Sequence, residues 1–208
     1  MQPMKIAVVG AGIVGASTAE WLRRDGHAVT LIDRNDPGRA TNAGAGILAP
    51  EMNKRDPDAW FDFAVEAVGD YPALVDRLAE DDAGPTGYAR CGMLLVAATE
   101  DELAPFEEAQ EAIFGRQRER GTPSAAALYQ LSPAEAKDLF PPLAEVLAAI
   151  YYRDASRVDG RLLAAAMLRG ALTRGAEQRN ASADALYVEQ GRVTGVEVEG
   201  DRLGAGAV

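Results

Sequence analysis

Residues 4–33 read MKIAVVGAGIVGASTAEWLRRDGHAVTLID, and this stretch decides the fold. A short apolar strand leads into the spacing Gly10-x-Gly12-x-x-Gly15, which opens a helix. A second apolar strand follows and ends in Asp33. In this motif Gly10 permits a tight turn, Gly12 lets the backbone approach a pyrophosphate, and Gly15 lets the helix pack closely on the strand. The stretch therefore predicts a dinucleotide-binding βαβ unit.

The start of that helix and the acid after the second strand predict where a nucleotide binds. Free N–H groups and the helix dipole favour the negative charge of a pyrophosphate. Asp33 lies 18 residues after Gly15, which is about the separation at which a carboxylate reaches the ribose hydroxyls of an adenine nucleotide. Asp33 would repel the 2′-phosphate of NADP, although Arg34 weakens that exclusion. A glycine-rich turn without a ligand is the alternative interpretation.

The composition argues against several classes of protein. A formal net charge of -11 over 208 residues argues against a nucleic-acid partner, which would need clustered Lys and Arg. No apolar run reaches the roughly 18 residues of a membrane span, and residues 1–12 read as strand and turn rather than as a signal peptide. Because Cys91 and His27 are each the single residue of their type, neither an internal disulfide nor a metal site is expected. We expect a cytoplasmic enzyme.

The rest of the chain alternates between helical and extended patterns. Helices are predicted over 58–81 with an interruption near Gly69 and Pro72, over 99–120, from Ser132 until Phe140, and over 161–175. Strands are predicted over 88–97, 150–152, 185–189 and 193–198, with a turn at Gln190-Gly191 between the last two. One more strand is expected to open over 203–208.

A second motif, ATNAGAGILAP over residues 40–50, follows the acid closely. Its small residues allow the backbone to lie against a flat ring, and its hydroxyl and amide groups supply hydrogen bonds. Taken alone, such a loop also fits an ordinary flexible linker. Together with the N-terminal motif, it resembles the FAD-dependent amine and amino-acid oxidoreductases of the D-amino-acid oxidase superfamily, particularly glycine oxidases and bacterial D-amino-acid dehydrogenases.

The resemblance extends over the whole chain. The runs Arg90–Leu95 and Arg157–Leu163 look like the family's substrate-domain strand and its returning helix, and Gly191–Val196 looks like the hairpin after the adenine-side strand. Family members continue for many further residues, so the resemblance implies that this chain is an N-terminal fragment.

The resemblance also implies a fold class and a domain organisation. The fold would be α/β, with a Rossmann-like FAD-binding domain built on a parallel sheet and a partial α+β substrate domain with antiparallel strands. The FAD-binding domain would take residues 1–83 and 155–208, and the substrate domain would take residues 84–154.

The implied cofactor is FAD. By resemblance, residues 41–43 would lie along the pyrophosphate, residues 45–47 would lie beside the isoalloxazine, and Ala185 would lie near the adenine. With the nucleotide motif, the predicted cofactor-binding residues are Gly10, Ala11, Gly12, Ile13, Val14, Gly15, Asp33, Arg34, Thr41, Asn42, Ala43, Ala45, Gly46, Ile47 and Ala185.

In the family, a hydride passes from the substrate Cα–H bond to flavin N5, and the imine hydrolyses to an oxo acid and ammonia. The implied function is oxidation of the CH–NH bond of a small amino acid or amine. No catalytic residue is assigned, because the family's carboxylate-binding Arg and Tyr come from a portion that this sequence does not contain. Two alternatives stay open, an NAD-dependent dehydrogenase and a non-catalytic nucleotide-binding subunit. The sequence leaves open whether the protein forms a homo-oligomer or a complex with a different subunit.

Three other features have simpler interpretations. His27 follows a helix-ending glycine, so we expect a surface histidine. Cys91 is expected to be a small strand residue rather than a flavin-linked thiol. Tyr151 and Tyr152 are expected in an aromatic core with Arg153 in solvent.

Overall fold

The computed structural model describes residues 2–53 and 58–208. Within them, the strands in chain order are β1 (Lys5–Val9), β2 (Ala28–Ile32), β3 (Ile47–Leu48), β4 (Ala89–Arg90), β5 (Met93–Ala97), β6 (Leu128–Leu131), β7 (Ala148–Tyr152), β8 (Ser156–Arg157), β9 (Glu177–Arg179), β10 (Ala183–Glu189), β11 (Arg192–Val198) and β12 (Asp201–Gly204). The α-helices are α1 (Ile13–Arg24), α2 (Asp58–Gly69), α3 (Tyr71–Glu80), α4 (Glu100–Arg120), α5 (Pro133–Leu139) and α6 (Gly160–Thr173). Short 3-10 helices cover Ala40–Ala43 and Pro50–Met52.

The chain divides into two compact units. The first unit comprises Met1–Gly46, Pro72–Tyr88 and Val158–Val208, and the second comprises Ile47–Tyr71 and Ala89–Arg157. Helix α2 therefore belongs to the second unit, whereas the predicted FAD-binding domain includes it within residues 1–83. The assignment of one unit to the cofactor and the other to the substrate stays a prediction.

The first unit is built on a parallel sheet with the strand order β1-β2-β9. β1 and β2 pair in parallel, with Ala7 opposite Thr30, and α1 provides the crossover that parallel pairing requires. β9 pairs in parallel with the other edge of β2. A second sheet of this unit is antiparallel, in the order β10-β11-β12. The predicted α/β class, with a parallel sheet and an antiparallel hairpin near its end, is confirmed.

Alternate residues of β1 face different layers of the first unit. Val8 packs with Ala19 of α1 and Ala171 of α6. Ala7 packs on the other face with Val196 of β11. This period of two places the parallel sheet between helices and the antiparallel sheet, so that both of its faces are covered.

The second unit has an antiparallel sheet in the order β5-β7-β6. Ile150 of the central strand β7 packs with Phe106 and Ile113 of α4 on one face. Its neighbour Ala149 packs with Ala136 of α5 on the other face. A second antiparallel sheet joins the short strands in the order β3-β8-β4. The antiparallel strands predicted for this part of the chain are confirmed.

Several helix boundaries follow local signals of the sequence. α2 ends at Gly69 and α3 begins at Tyr71, as the predicted interruption near Pro72 requires. α5 begins with a capping box, in which the Glu135 N–H donates to Ser132 Oγ at 3.3 Å and the Ser132 N–H donates to Glu135 Oε2 at 2.8 Å. Among the described residues, no helix has both the length and the apolarity that crossing a bilayer needs.

The predicted strand over residues 88–97 is two strands in the structure. β4 and β5 are separated by Cys91 and Gly92, and Gly92 has a φ of 72°. This left-handed conformation interrupts the extended chain, and a Cβ at Gly92 would meet the ring of Tyr151. Cys91 is therefore exposed in the break, and the expectation that it is a strand residue is wrong.

The end of the chain also differs from the predicted strand over 203–208. β12 begins earlier, at Asp201, and pairs with β11 until Gly204. Ala207 then forms an isolated parallel bridge with Ile6 of β1. The apolar residues of this segment are thus divided between two different sheets.

The expectation of a surface His27 is wrong, because the residue is only 3% exposed. Its Nδ1 accepts a hydrogen bond from the Met4 N–H at 3.2 Å, and its carbonyl oxygen accepts one from Arg23. The segment that enters β1 covers the turn between α1 and β2. The imidazole is therefore buried with a polar atom satisfied, as buried polar groups require.

An ion-pair network in the first unit joins α1 to the residues that directly follow α3 and α6. Asp81 Oδ2 accepts from Arg24 at 2.6 Å, and both Asp81 oxygens accept from Arg174, at 2.6 and 2.9 Å. Arg24 also pairs with the fully buried Glu20. The hydrogen bonds from Arg174 lower the pKa of Asp81, and together with the nearby positive charges they outweigh the opposing effect of burial.

We expect Asp81→Asn to reduce the free energy of unfolding by about 2 kcal/mol, because an amide cannot replace the charge-assisted bonds to Arg24 and Arg174. The pKa of Asp81 is lowered in the folded state. Its contribution to the free energy of unfolding is therefore complete above the unfolded-state pKa and is lost as pH falls through the folded-state pKa. The variant should therefore lose less stability on acidification than the wild type. Urea unfolding at neutral pH and at about pH 3 measures both effects.

The control is Asp201→Asn, at an exposed position of β12. It should change neither the stability nor its pH dependence. If Asp81→Asn and the wild type unfold with the same free energy and the same acid dependence, the network has no stabilising role.

Candidate functional site

The glycine-rich turn joins β1 to α1 at the carboxyl edge of the parallel sheet. Gly10 has a φ of 98°, which favours glycine, and its N–H donates to the Ile32 carbonyl at 2.8 Å. A Cβ on Gly15 would overlap the carbonyl oxygen of Gly10. The first turn of α1 therefore lies directly against the end of β1, in agreement with the close packing predicted at Gly15.

The amino terminus of α1 is held by a threonine of the second motif. Thr41 Oγ1 accepts a hydrogen bond from the Ile13 N–H at 3.0 Å, and a Cβ on Gly12 would lie 3.3 Å from the same oxygen. The first backbone bond of the helix runs from the Ala16 N–H to the Gly12 carbonyl. The N–H groups before Ala16 have no carbonyl partner inside the helix, and the helix dipole adds positive potential there.

Asp33, which directly follows β2, is held by three donors. Its Oδ2 accepts the Ala11 N–H at 2.6 Å, while its Oδ1 accepts the Asn35 N–H at 2.6 Å and pairs with Arg39. Burial raises the pKa of Asp33, but the two backbone hydrogen bonds and the Arg39 guanidinium outweigh it, so the pKa lies below its usual value. Asp33 is therefore an ionised acceptor at neutral pH.

A cavity of about 390 Å³ lies beside Asp33 in the first unit. Its lining includes Gly10, Asp33, Arg34, Arg39 and residues 181–183. Both signs of charge and several backbone groups meet there, which suits a polar ligand.

The structure brings residues 181–183, and not Ala185, to this cavity. Ala185 is exposed within β10 and pairs with Glu197 of β11. Ala185 therefore lies outside the lining of this cavity, and its contact with the adenine stays a prediction.

The second motif is fixed at its far end by another close approach. Gly46 has a φ of 68°, and a Cβ there would overlap the carbonyl oxygen of Val158. The Val158 N–H in turn donates to the Gly46 carbonyl at 2.9 Å. Residues 42–45 between these anchors are exposed. The structure thus brings Thr41 to the glycine turn and leaves the following residues accessible to a ligand.

The second unit contains a larger cavity of different chemistry. It has a volume of about 840 Å³, and its lining is dominated by apolar side chains such as Ile47, Leu48, Trp60, Phe63 and Met93. Ile47 is 63% exposed. An apolar wall does not favour a diphosphate, so the smaller cavity beside Asp33 is the better candidate for the nucleotide.

The expected aromatic core around Tyr151 and Tyr152 is confirmed. Tyr152 is buried, and its hydroxyl donates to Glu51 Oε1 at 2.9 Å. Burial raises the pKa of Tyr152, and the negative charge of Glu51 raises it further. Tyr151 packs edge-to-face against Tyr129, and Arg153 is exposed as expected.

Two features of the site were missed by the sequence analysis. Arg39 pairs with Asp33 and donates to Asn35 Oδ1 at 3.0 Å and to the Ala11 carbonyl at 3.4 Å. A basic residue six positions after the acid was the signal available for it. Residues 181–183 carry no such signal, because small residues before a strand are common.

A parallel βαβ unit with a glycine turn, an accessible helix amino terminus and an acid after its second strand defines the dinucleotide-binding class of α/β proteins. Residues 5–208 match the family FAD dependent oxidoreductase, DAO. The chain belongs to this family. Membership confirms the predicted cofactor, FAD, and the predicted class, an FAD-dependent oxidoreductase, and it disfavours the NAD alternative.

Individual relatives support the same assignment. The chain is 37% identical over 201 residues to the uncharacterized oxidoreductase YurR of Bacillus subtilis strain 168, covering 97% of this chain and 52% of YurR. The structure of iminodiacetate oxidase IdaA from Chelativorans sp. BNC1 matches with a TM-score of 0.83 and 37% identity, over 95% of this chain and 52% of that one. Glycine oxidase from Bacillus cereus ATCC 14579 matches with a TM-score of 0.83 and 25% identity, over 97% and 53%. The chain spans about half the length of these relatives.

The residues present fit the ADP half of FAD. A Cβ at Gly12 would fill space beside Thr41 at the start of α1, so glycine keeps this approach open. Asp33 provides an ionised acceptor next to a cavity, and the helix amino terminus provides donors. These are the groups that ribose hydroxyls and a pyrophosphate need.

We expect Gly15→Ala to reduce the free energy of unfolding by about 3 kcal/mol, because the added Cβ overlaps the Gly10 carbonyl and α1 must move away from β1. The matched control is Gly115→Ala in α4, where the nearest atom to the added Cβ is a terminal nitrogen of Arg118 at 3.8 Å. Improved helix propensity should stabilise this control by up to about 1 kcal/mol. Urea unfolding measures both changes, and equal stabilities of the two variants would contradict the close approach.

Proposed function

We propose that this chain supplies the FAD-binding part of an enzyme that oxidises the CH–NH bond of a small amino acid or amine. The observation that carries the proposal is the arrangement of the glycine turn, the start of α1 and Asp33 in a member of the FAD dependent oxidoreductase family. Two similar solved structures are an iminodiacetate oxidase and a glycine oxidase. Glycine and iminodiacetate both carry a CH–NH bond next to a carboxylate, which supports this substrate class.

The chain's own residues would bind the ADP half of the cofactor. Asp33 would accept hydrogen bonds from the ribose, and the N–H groups at the start of α1 would donate to the pyrophosphate. Thr41 Oγ1 already accepts the Ile13 N–H, so its own hydroxyl proton is available to a pyrophosphate oxygen. The exposed residues 42 and 43 would continue this contact.

Residues 45–47 would border the flavin ring. When bound, FAD supplies the acceptor for the hydride that leaves the substrate Cα, and the imine product then hydrolyses to an oxo acid and ammonia. Ile47 also lines the apolar cavity of the second unit, together with Leu48 and Phe63. The oligomeric partner and the cytoplasmic location stay predictions.

The test is retention of FAD by the chain itself. Wild-type protein mixed with FAD and desalted should keep the visible absorption bands of the flavin. Gly12→Val should lose them, because its side chain fills the space beside Thr41 and beneath the pyrophosphate. We expect its affinity for FAD to fall by more than about a hundredfold, as the loss of about 3 kcal/mol of binding energy would give.

Gly204→Val is the control, since no atom lies within 4 Å of its added Cβ and β12 tolerates a branched residue. The assignment of this site would be overturned if the wild type were colourless or if Gly12→Val kept FAD. A wild type that binds NAD instead would restore the NAD-dependent dehydrogenase alternative. For the substrate class, the measurement is bleaching of the flavin bands by glycine and other small amines in the product of the complete reading frame.

A further inference from the structure

We propose that Arg39 is a positioning residue that acts through Asp33 and sets the affinity of the site for the ADP half of FAD. The proposal rests on the proposed function, in which Asp33 binds the ribose. Arg39 would hold the carboxylate in the orientation that the ribose hydroxyls require, before any nucleotide arrives.

The guanidinium of Arg39 joins three parts of the site. It pairs with Asp33 Oδ1, donates to the Asn35 side-chain carbonyl at 3.0 Å and donates to the Ala11 carbonyl at 3.4 Å. The side chains of this pair are shielded, with 26% exposure for Arg39 and 13% for Asp33. A single planar cation therefore fastens the loop after β2 to both the acid and the glycine turn.

These contacts restrict how the Asp33 carboxylate can turn. An ionised carboxylate has about four acceptor positions, and the N–H groups of Ala11 and Asn35 together with Arg39 use about three of them. The remaining acceptor capacity serves the cavity that Asp33 and Arg39 line together. Without Arg39, the carboxylate would lose its charged partner on Oδ1 and would bind a ribose only after being reoriented.

Arg34 offers a matched comparison within the same loop and the same cavity. It pairs with Asp36 at 2.6 Å, and side chains of both are more than half exposed. An exposed pair of this kind contributes little energy. Arg34 and Arg39 thus carry the same charge near the same carboxylate, but only Arg39 is bonded to it among the contacts of Asp33 described above.

The experiment is calorimetric titration of the wild type, Arg39→Met, Arg39→Lys and Arg202→Met with ADP and with FAD. Arg39→Met should weaken ADP binding by about tenfold, which corresponds to one charge-assisted contact. Arg202→Met is the control and should change it by less than about twofold, because Arg202 forms an exposed pair with Glu189 and does not line the cavity beside Asp33. Arg39→Lys should lie between, because an ammonium keeps the charge but cannot bridge three acceptors.

A double-mutant cycle separates positioning from a general effect on the fold. In an Asp33→Asn background, removal of Arg39 should cost little further affinity, because the group through which it acts is gone. The pH profile gives a second readout. Arg39 helps to lower the pKa of Asp33, so ADP binding by Arg39→Met should be lost at a higher pH on acidification than binding by the wild type.

The outcomes separate this proposal from the one on which it rests. A wild type that binds neither ADP nor FAD overturns both. If the wild type binds ADP and Arg39→Met binds it equally well, only the role of Arg39 is overturned. The same holds if removing Arg39 weakens ADP binding as much in the Asp33→Asn background as it does in the wild type. Urea unfolding checks whether each variant is folded. If Arg39→Met is unfolded, Arg39→Lys provides the test. Wild-type affinity for ADP and an unshifted pH profile in Arg39→Lys would overturn the role of Arg39.

Discussion

The approach of Gly15 to the carbonyl oxygen of Gly10 is the constraint on which the rest of the site depends. It sets the distance between the first turn of α1 and the end of β1, and any side chain at Gly15 would increase it. Because α1 lies so close, the Ala11 N–H reaches the Asp33 carboxylate at 2.6 Å and the Ile13 N–H reaches Thr41 Oγ1 at 3.0 Å. Asp33 and the loop that carries Thr41 are therefore both held by hydrogen bonds at the amino-terminal end of α1. A displacement of that helix would loosen both contacts together.

Electrostatics explains how a chain with a net charge of -11 can present a site for an anionic cofactor. The helix amino terminus supplies positive potential without a charged side chain, and it acts within about the first turn. Asp33 opposes this potential, but Arg39 pairs with it directly. The acid thus keeps its capacity to accept hydrogen bonds while most of its field on a nearby pyrophosphate is offset. Net charge governs long-range encounter, whereas these local groups govern the bound state.

The parts of the fold that sequence predicts are those that local chemistry determines. The interruption between α2 and α3 and the capping box of α5 depend on residues within a few positions of one another, and the βαβ unit depends on the single continuous stretch 4–33. The features that the sequence does not predict share one cause, because each depends on a contact between residues that are distant in sequence. His27 is buried by the segment at Met4, the strand around Cys91 is broken where Gly92 meets Tyr151, and residues 181–183 reach the cavity through the β10 hairpin. No local pattern reports such contacts.

The two cavities differ in how their chemistry is encoded in the sequence. The cavity beside Asp33 relies on backbone N–H groups, missing Cβ atoms and one acid, so a short motif predicts it. The apolar cavity of the second unit is built from side chains dispersed over residues 47–109, for which no motif exists. Iminodiacetate oxidase and glycine oxidase match this chain with the same TM-score of 0.83 at 37% and 25% identity. Fold similarity over about half of each oxidase does not separate these two proteins, so the fold alone gives no basis for assigning a substrate.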